Sequence, residues 1–228
     1  MEQSRLLSAL EVTALGFGVD RTRVLALCEE AARRGVIGIC VPAVFAAEAV
    51  SALRGTGTRA VSVANFPFGD LPLRDVVHQV SRLVHLDGVQ EVDVVAPLPL
   101  LLAEEWARYE RWMRQVVDAA GAPVKVILET AAIGPSRWTH AAKVSAAAGV
   151  GWVKTSTGFH PQGGASWAAV RALRAAMPAT VGVKASGGIR TRKAALELLV
   201  AGADRIGASA YAAILDDAPA VSAAAGSV

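Results

Sequence analysis

Eight short apolar runs recur along this chain, their starts 22 to 33 residues apart, with longer amphipathic stretches between them. They cover residues 11–15, 37–41, 59–65, 91–95, 124–129, 151–156, 180–185 and 204–208. An interval of that length holds a strand, a loop, a helix and a return loop, so the strands are expected to run parallel. The stretches between carry helix signals. Residues 21–34 are preceded by Asp20, a good N-cap, and followed by Gly35, a good stop. The other expected helices cover 43–54, 73–85, 103–120, 136–148, 166–177 and 191–201. Eight such units, with no Pro/Gly/Ser-rich linker among them, predict an α/β protein folded as a single (β/α)8 TIM barrel, one domain over residues 1–228. The rival, an open doubly wound sheet, carries a glycine fingerprint after its first strand. Gly16-Phe17-Gly18 lacks the third glycine of that fingerprint.

Length and composition agree. A chain of 228 residues fits a barrel of roughly 200 to 250 and buries roughly 70% of its unfolded surface without a structural metal or disulfide. Hydrophobic residues are 53% and charged residues 19%, which excludes disorder. No apolar run approaches the roughly 20 residues of a membrane span. The first residues lack a basic segment leading into an apolar one, so no secretory signal is expected. Cys28 and Cys40 are too few for a disulfide framework or a zinc cluster. A cytoplasmic protein with no membrane partner is the expectation. Net charge is +3, and arginines alternate with acids, as in Glu104, Glu105, Arg108, Glu110, Arg111 and Arg114. That is a solvated helix face. A nucleic-acid partner would need clustered charge and more than 5% aromatics.

The lysines stand out. Of 23 basic residues five are lysine, and three of these, Lys125, Lys154 and Lys184, lie inside strand-like apolar runs. A buried ammonium is costly unless paired, and only lysine readily gives up its proton to become a nucleophile. Lys154 on the sixth run and Lys184 on the seventh would crowd each other on strands about 4.8 Å apart. A second cation beside Lys154 favours its neutral amine, the form that makes a Schiff base. Alternation in Glu91-Val-Asp93-Val-Val turns Asp93 toward the barrel interior, where it can shuttle protons or pair with Lys125 or Lys184. Lys125 and Glu129 share a face and are read as part of the same network. The polar residues at the strand ends, including Asn65, Glu129, Lys154, Thr155, Ser156, Lys184 and Ser209, load one mouth, and the opposite ends read as mostly apolar.

Glycines add a second signal. Thr157-Gly158, Gly187-Gly188 and Gly207-Ala-Ser209 follow the sixth, seventh and eighth strands, where barrels commonly hold phosphate on backbone N–H groups. His78, His85 and His140 lie on helices without metal-ligand spacing, His160 lies in a loop, and no metal or cofactor is expected.

These residues together resemble the deoxyribose-phosphate aldolase family. Lys154-Thr-Ser-Thr-Gly-Phe followed by Gly163-Gly164-Ala165 is similar to its nucleophile strand and loop. Val183-Lys184-Ala-Ser-Gly-Gly-Ile-Arg190 is similar to its second-lysine strand, and Glu91-Val-Asp93 to its acid strand. Val61-Ser-Val-Ala-Asn65-Phe-Pro is similar to its third strand, and Arg205-Ile-Gly-Ala-Ser209 to the start of its phosphate-binding end. The resemblance implies a metal-free class I aldehyde-lyase that cleaves 2-deoxyribose 5-phosphate to acetaldehyde and glyceraldehyde 3-phosphate. It implies Lys154 as imine former, Lys184 as its activator, Asp93 as proton carrier, and the glycine loops with Ser209 as phosphate holders. Three features are this chain's own. Glu11-Val-Thr13 stands where the family has Asp-x-Thr; Glu11 and Thr13 are read as possible substrate contacts or members of the lysine network, and a longer acid there would reach differently toward a substrate hydroxyl. Pro97 and Pro99 follow the acid strand, and Ala210 follows Ser209. Alternative readings are an aldolase of a specialised pathway, a phosphate-binding barrel isomerase or synthase, and a non-catalytic sugar-phosphate-binding barrel. The sequence does not set the oligomeric state, and a homodimer or another homo-oligomer is compatible with it.

Overall fold

The apolar runs pair edge to edge in chain order. In the computed structural model, which describes residues 2–216, the strands are β1 (Leu10–Thr13), β2 (Gly38–Val41), β3 (Arg59–Ala64), β4 (Glu91–Val95), β5 (Val124–Ile127), β6 (Trp152–Lys154), β7 (Gly182–Ser186) and β8 (Arg205–Ala208). Each pairs in parallel with its neighbours, and β8 returns to β1, so the sheet closes. This is the (β/α)8 barrel that the spacing predicts. Valines at alternate positions, among them Val92, Val94, Val126, Val153 and Val183, are buried in one cluster with apolar helix residues. The other set of positions fills the interior, where Cys40, Val61 and Val63 form a small separate apolar cluster.

The helices start and stop where local chemistry dictates. Asp20 accepts from the Arg23 backbone N–H at 2.7 Å and caps Arg21–Arg34. Gly35 ends that helix at φ +70°, a conformation other residues enter at a cost. Ser166 and Thr191 cap Trp167–Ala176 and Arg192–Val200 in the same way as Asp20. Two expected helices differ in detail. The segment 103–120 becomes a helix only from Trp106 (Trp106–Ala120), preceded by a short helix, Leu98–Leu102. Pro97 and Pro99 sit at the start of that short helix, where a missing N–H leaves no bond unmade. The segment 43–54 divides into a 3-10 turn, Ala43–Phe45, and the helix Ala46–Ala52.

One helix precedes the eight repeats, and a short one completes the eighth. Glu2–Ala9 precedes β1 and buries Leu6. Tyr211–Asp216 follows β8 and is held to Arg21–Arg34 by Arg34 bonded to Asp216 at 2.6 Å and by the Tyr211 hydroxyl donating to Glu30. No helix among the described residues is long and apolar enough to cross a membrane.

Candidate active site

Register brings the charged residues to one place. Lys154 and Lys184 are direct partners across β6 and β7, and Asp93 and Lys125 are partners across β4 and β5. Inside the barrel, one oxygen of Asp93 accepts from both Lys154 Nζ at 2.6 Å and Lys184 Nζ at 2.7 Å. Its other oxygen accepts from Lys125 Nζ at 3.0 Å. Lys125 also reaches Glu91 at 2.6 Å and Glu11 at 3.5 Å. Glu11 takes a close ion pair from Lys184, and Arg205 pairs closely with Glu91 while lying 3.4 Å from Glu11. The Arg205 guanidinium sits 4.4 Å from the centre of the Trp152 ring. Glu11, Glu91, Asp93, Lys125, Lys154, Lys184 and Arg205 are all buried. From β3, the half-exposed Arg59 closes the array by bonding Glu91 at 3.2 Å.

Several sequence expectations change here. Of the two roles open to Glu11, its contacts are those of the network: its carboxylate is engaged inside the barrel by Lys184, Lys125 and Arg205. The ends opposite the mouth are not mostly apolar, because Glu91, Arg205 and Arg59 extend the charged array downward. Glu129 does not join Lys125. Its backbone turns left-handed at φ +50°, ending the strand alternation, and its carboxylate accepts from the Thr157 N–H at 3.0 Å and hydroxyl at 2.5 Å. Asn65 is a turn holder, donating to the Val95 carbonyl and accepting from the Leu71 N–H. Arg205 is a member of the array that stands in the sequence only as the first residue of a family motif. Counting back by two from Gly207 turns it inward.

The array fixes protonation. Burial disfavours a charged Asp93, yet the charges of Lys125, Lys154 and Lys184 outweigh it and hold that carboxyl well below its usual range. Glu11 and Glu91 are lowered against the same burial penalty, chiefly by Lys125, with Lys184 helping Glu11 and Arg205 helping Glu91. Burial would strip the proton from Lys184, but Asp93 and Glu11 reverse this and raise its pKa. The consequence for stability has a definite sign. Carboxylates with folded pKa values below their ordinary 4.5 and 3.8 stabilise fully above those ordinary values. That stability is lost as pH falls through the folded values. The raised Lys184 acts at the other end, its stability present below 10.5 and lost as pH climbs through its folded value. Urea midpoints measured across pH are therefore expected to fall steadily below about pH 4. Equal midpoints at about pH 3 and at neutrality would contradict this.

Above the array opens a cleft of about 260 Å³. Lys154 lines it, with Thr13, Thr157, Gly158, Gly187, Gly188, Gly207 and Ser209, and with Arg190, the last residue of the second-lysine motif, to which the sequence alone assigned no role. Glycine is required at one of these positions and closely fitted at another. At Gly187 φ is +89° and a Cβ would lie 2.9 Å from Gly164 Cα; at Gly207 a Cβ would lie 3.0 Å from Lys184 Cε. Lys125, Lys184, Asp93 and Glu11 do not line the cleft; they lie beneath it.

Glu11, Cys40 and Asp93 bring ligand atoms within 4.8 Å of one another. The donor set does not suit a metal. Both carboxylates are already engaged by ammonium groups, and burial together with Asp93 pushes the Cys40 thiol up to about 12, far from the thiolate a metal needs.

No protein-family model matches the chain, but individual proteins do. It is 39% identical over 228 residues to a deoxyribose-phosphate aldolase of Frankia alni, with 96% of this chain and 100% of that one covered. It is 42% identical over 195 residues to a deoxyribose-phosphate aldolase of Corynebacterium diphtheriae, with 84% and 87% covered. Among solved structures, the deoxyribose phosphate aldolase from Aeropyrum pernix superposes with a TM-score of 0.86 at 31% identity, covering 95% of this chain and 92% of that one. A likeness of this depth, over almost the whole length of both partners and on the same closed barrel, settles the kinship: the chain belongs to the deoxyribose-phosphate aldolase family.

Proposed function

We propose that the protein is a class I aldolase that reversibly cleaves 2-deoxyribose 5-phosphate into acetaldehyde and glyceraldehyde 3-phosphate through an imine on Lys154. One observation carries the assignment of the nucleophile: of the three lysines in the barrel, Lys154 lines the cleft and the other two lie beneath it. Its amine adds to the C1 aldehyde of the open-chain sugar, water leaves, and an iminium forms. The 3-hydroxyl loses its proton, the C2–C3 bond breaks, and the bonding electrons move into an enamine while glyceraldehyde 3-phosphate departs. Protonation of the enamine carbon and hydrolysis return the amine and release acetaldehyde. Asp93, 2.6 Å from Lys154 Nζ, is the group that takes and returns protons, through a water where the substrate oxygen is beyond its reach. The glycine loops, Ser209 and Arg190 form the end of the cleft suited to phosphate.

Neither rival enzyme class fits this cleft as well. Among the described residues no carboxylate lines it, so an isomerase using a carboxylate base would have none in place. A silent binding barrel would have no use for a buried amine with one open face. The decisive experiment is borohydride reduction in the presence of acetaldehyde, followed by peptide mapping. A reduced two-carbon adduct on Lys154 is expected. An adduct on Lys125 or Lys184 would reassign the nucleophile, and no adduct with acetaldehyde or 2-deoxyribose 5-phosphate would end the imine mechanism.

The same proposal includes a homo-oligomer, supported by the tetrameric Aeropyrum pernix neighbour. It also includes a reducing, cytoplasmic location, supported by two buried cysteines that are both free thiols. Light scattering tests the first of these.

A further inference from the structure

The buried array holds more charge than the chemistry at the cleft uses. Three carboxylates (Glu11, Glu91 and Asp93) face four cations (Lys125, Lys154, Lys184 and Arg205), all buried. In a medium of low dielectric an unmatched charge is costly, so the array favours three cations against three anions. Lys125, Lys184 and Arg205 each contact two carboxylates or more, whereas Lys154 contacts Asp93 alone and opens to the cleft. Lys154 is therefore the one cation of the array that a single carboxylate answers, and it is also the amine that must condense with substrate.

We propose that Glu91 and Lys125, which do not touch the cleft, are positioning residues that set the protonation of Lys154 through the charge balance of the barrel interior. This rests on Lys154 being the imine-forming residue. The route is short and continuous. Lys125 holds the oxygen of Asp93 opposite the one that binds Lys154 and Lys184, at 3.0 Å, and so fixes how that carboxylate is turned. Glu91, 2.6 Å from Lys125, keeps that ammonium in place, and Arg205 and Arg59 hold Glu91 from the other side. The charged and titratable groups facing Asp93 and Lys154 are thus Glu11 from β1, Cys40 from β2, Glu91 from β4, Lys125 from β5, Lys184 from β7 and Arg205 from β8, with Arg59 from β3 one step further out. Cys40 stays a neutral thiol at working pH, its pKa being about 12, so the fixed charges set the balance.

The expected signs are opposite for the two residues, which packing alone would not produce. Lys125→Met removes a cation and leaves three carboxylates facing Arg205, Lys184 and Lys154. Lys154 then becomes the third cation, and the pH–rate limb for imine formation moves up, by about one unit. Glu91→Gln removes an anion and moves the limb down by a similar amount. The double variant, Glu91→Gln with Lys125→Met, restores two anions against two fixed cations, and its limb returns close to that of the unmodified protein. Each substitution is near-isosteric, and each single variant carries its own signed expectation if the other does not fold. The experiment is the rate of borohydride trapping of acetaldehyde on Lys154 across pH, together with kcat and KM for 2-deoxyribose 5-phosphate. The shift is expected in kcat and in trapping, with KM within about twofold. Limbs that stay fixed in a folded variant, or that move the same way in both, would overturn the charge-balance role and leave the imine reading standing. If the unmodified protein traps nothing on Lys154, the imine reading fails first, and the two failures are told apart.

Discussion

Lys154→Met is expected to abolish borohydride trapping of acetaldehyde and to lower turnover by about 10⁴-fold or more, while the barrel stays folded. The loss follows from chemistry, since a thioether cannot add to a carbonyl and the two remaining barrel lysines lie beneath the cleft. The accompanying stability result is more discriminating. Removing one member of a buried ion pair commonly costs about 3 to 5 kcal/mol, because the partner is left charged and alone. Here Asp93 keeps Lys125 and Lys184, and three carboxylates still face three cations. The loss is therefore expected to stay within about 1 kcal/mol, against the usual figure for a buried pair. Trapping at another lysine with retained turnover would show that the nucleophile lies elsewhere. A loss of about 3 kcal/mol or more would show that Lys154 is needed as a cation to hold the array together.

Lys184→Leu is expected to cost more stability than Lys154→Met and to act on activity through charge. Lys184 binds the same Asp93 oxygen as Lys154 and pairs closely with Glu11. Deleting it leaves Glu11 with contacts of only 3.4 and 3.5 Å to Arg205 and Lys125, so a loss of about 3 kcal/mol is expected in chemical denaturation. Three carboxylates then face Lys125, Arg205 and Lys154, and the pH–rate limb for imine formation moves up by about two units. Near neutrality that is about 10²-fold in rate, since each unit is a factor of ten. Lys184→Arg keeps the charge with a wider fork, and its limb is expected to stay low even where turnover falls. A folded Lys184→Leu protein with lost activity and an unmoved limb would mean that Lys184 transfers a proton or touches substrate, and that charge is not its contribution.

Most of the fold and part of the site are legible along the chain. Runs spaced by one β-α unit, with helices signalled by residues such as Asp20 and Gly35, are local properties, set by side-chain period and backbone preference within a few residues. The inward direction of Asp93 follows from alternation along a single strand. The glycines at 187 and 188 announce a tight loop for the same local reason. Alternation fails at Glu129 because a left-handed residue breaks the strand just where the period is being counted. It holds at Arg205, where an arginine among apolar residues reads as the start of a motif although it belongs to the core.

The sequence by itself determined the closed barrel, which mouth bears the polar loops, and which three lysines are set apart from the surface. Those follow from periodicity and composition, and each is decided by neighbours along the chain. Which lysine meets the cleft, and which carboxylate answers which cation, was decided only by tertiary structure. Lys154 and Lys184 come from strands that look alike in sequence, and register places them side by side. Lys154 lines the cleft while Lys184 is drawn beneath it to Glu11, a residue 173 positions away in the chain. Coulomb interaction in a dry interior depends on distance through space, and separation along the chain carries no record of it until the barrel has closed.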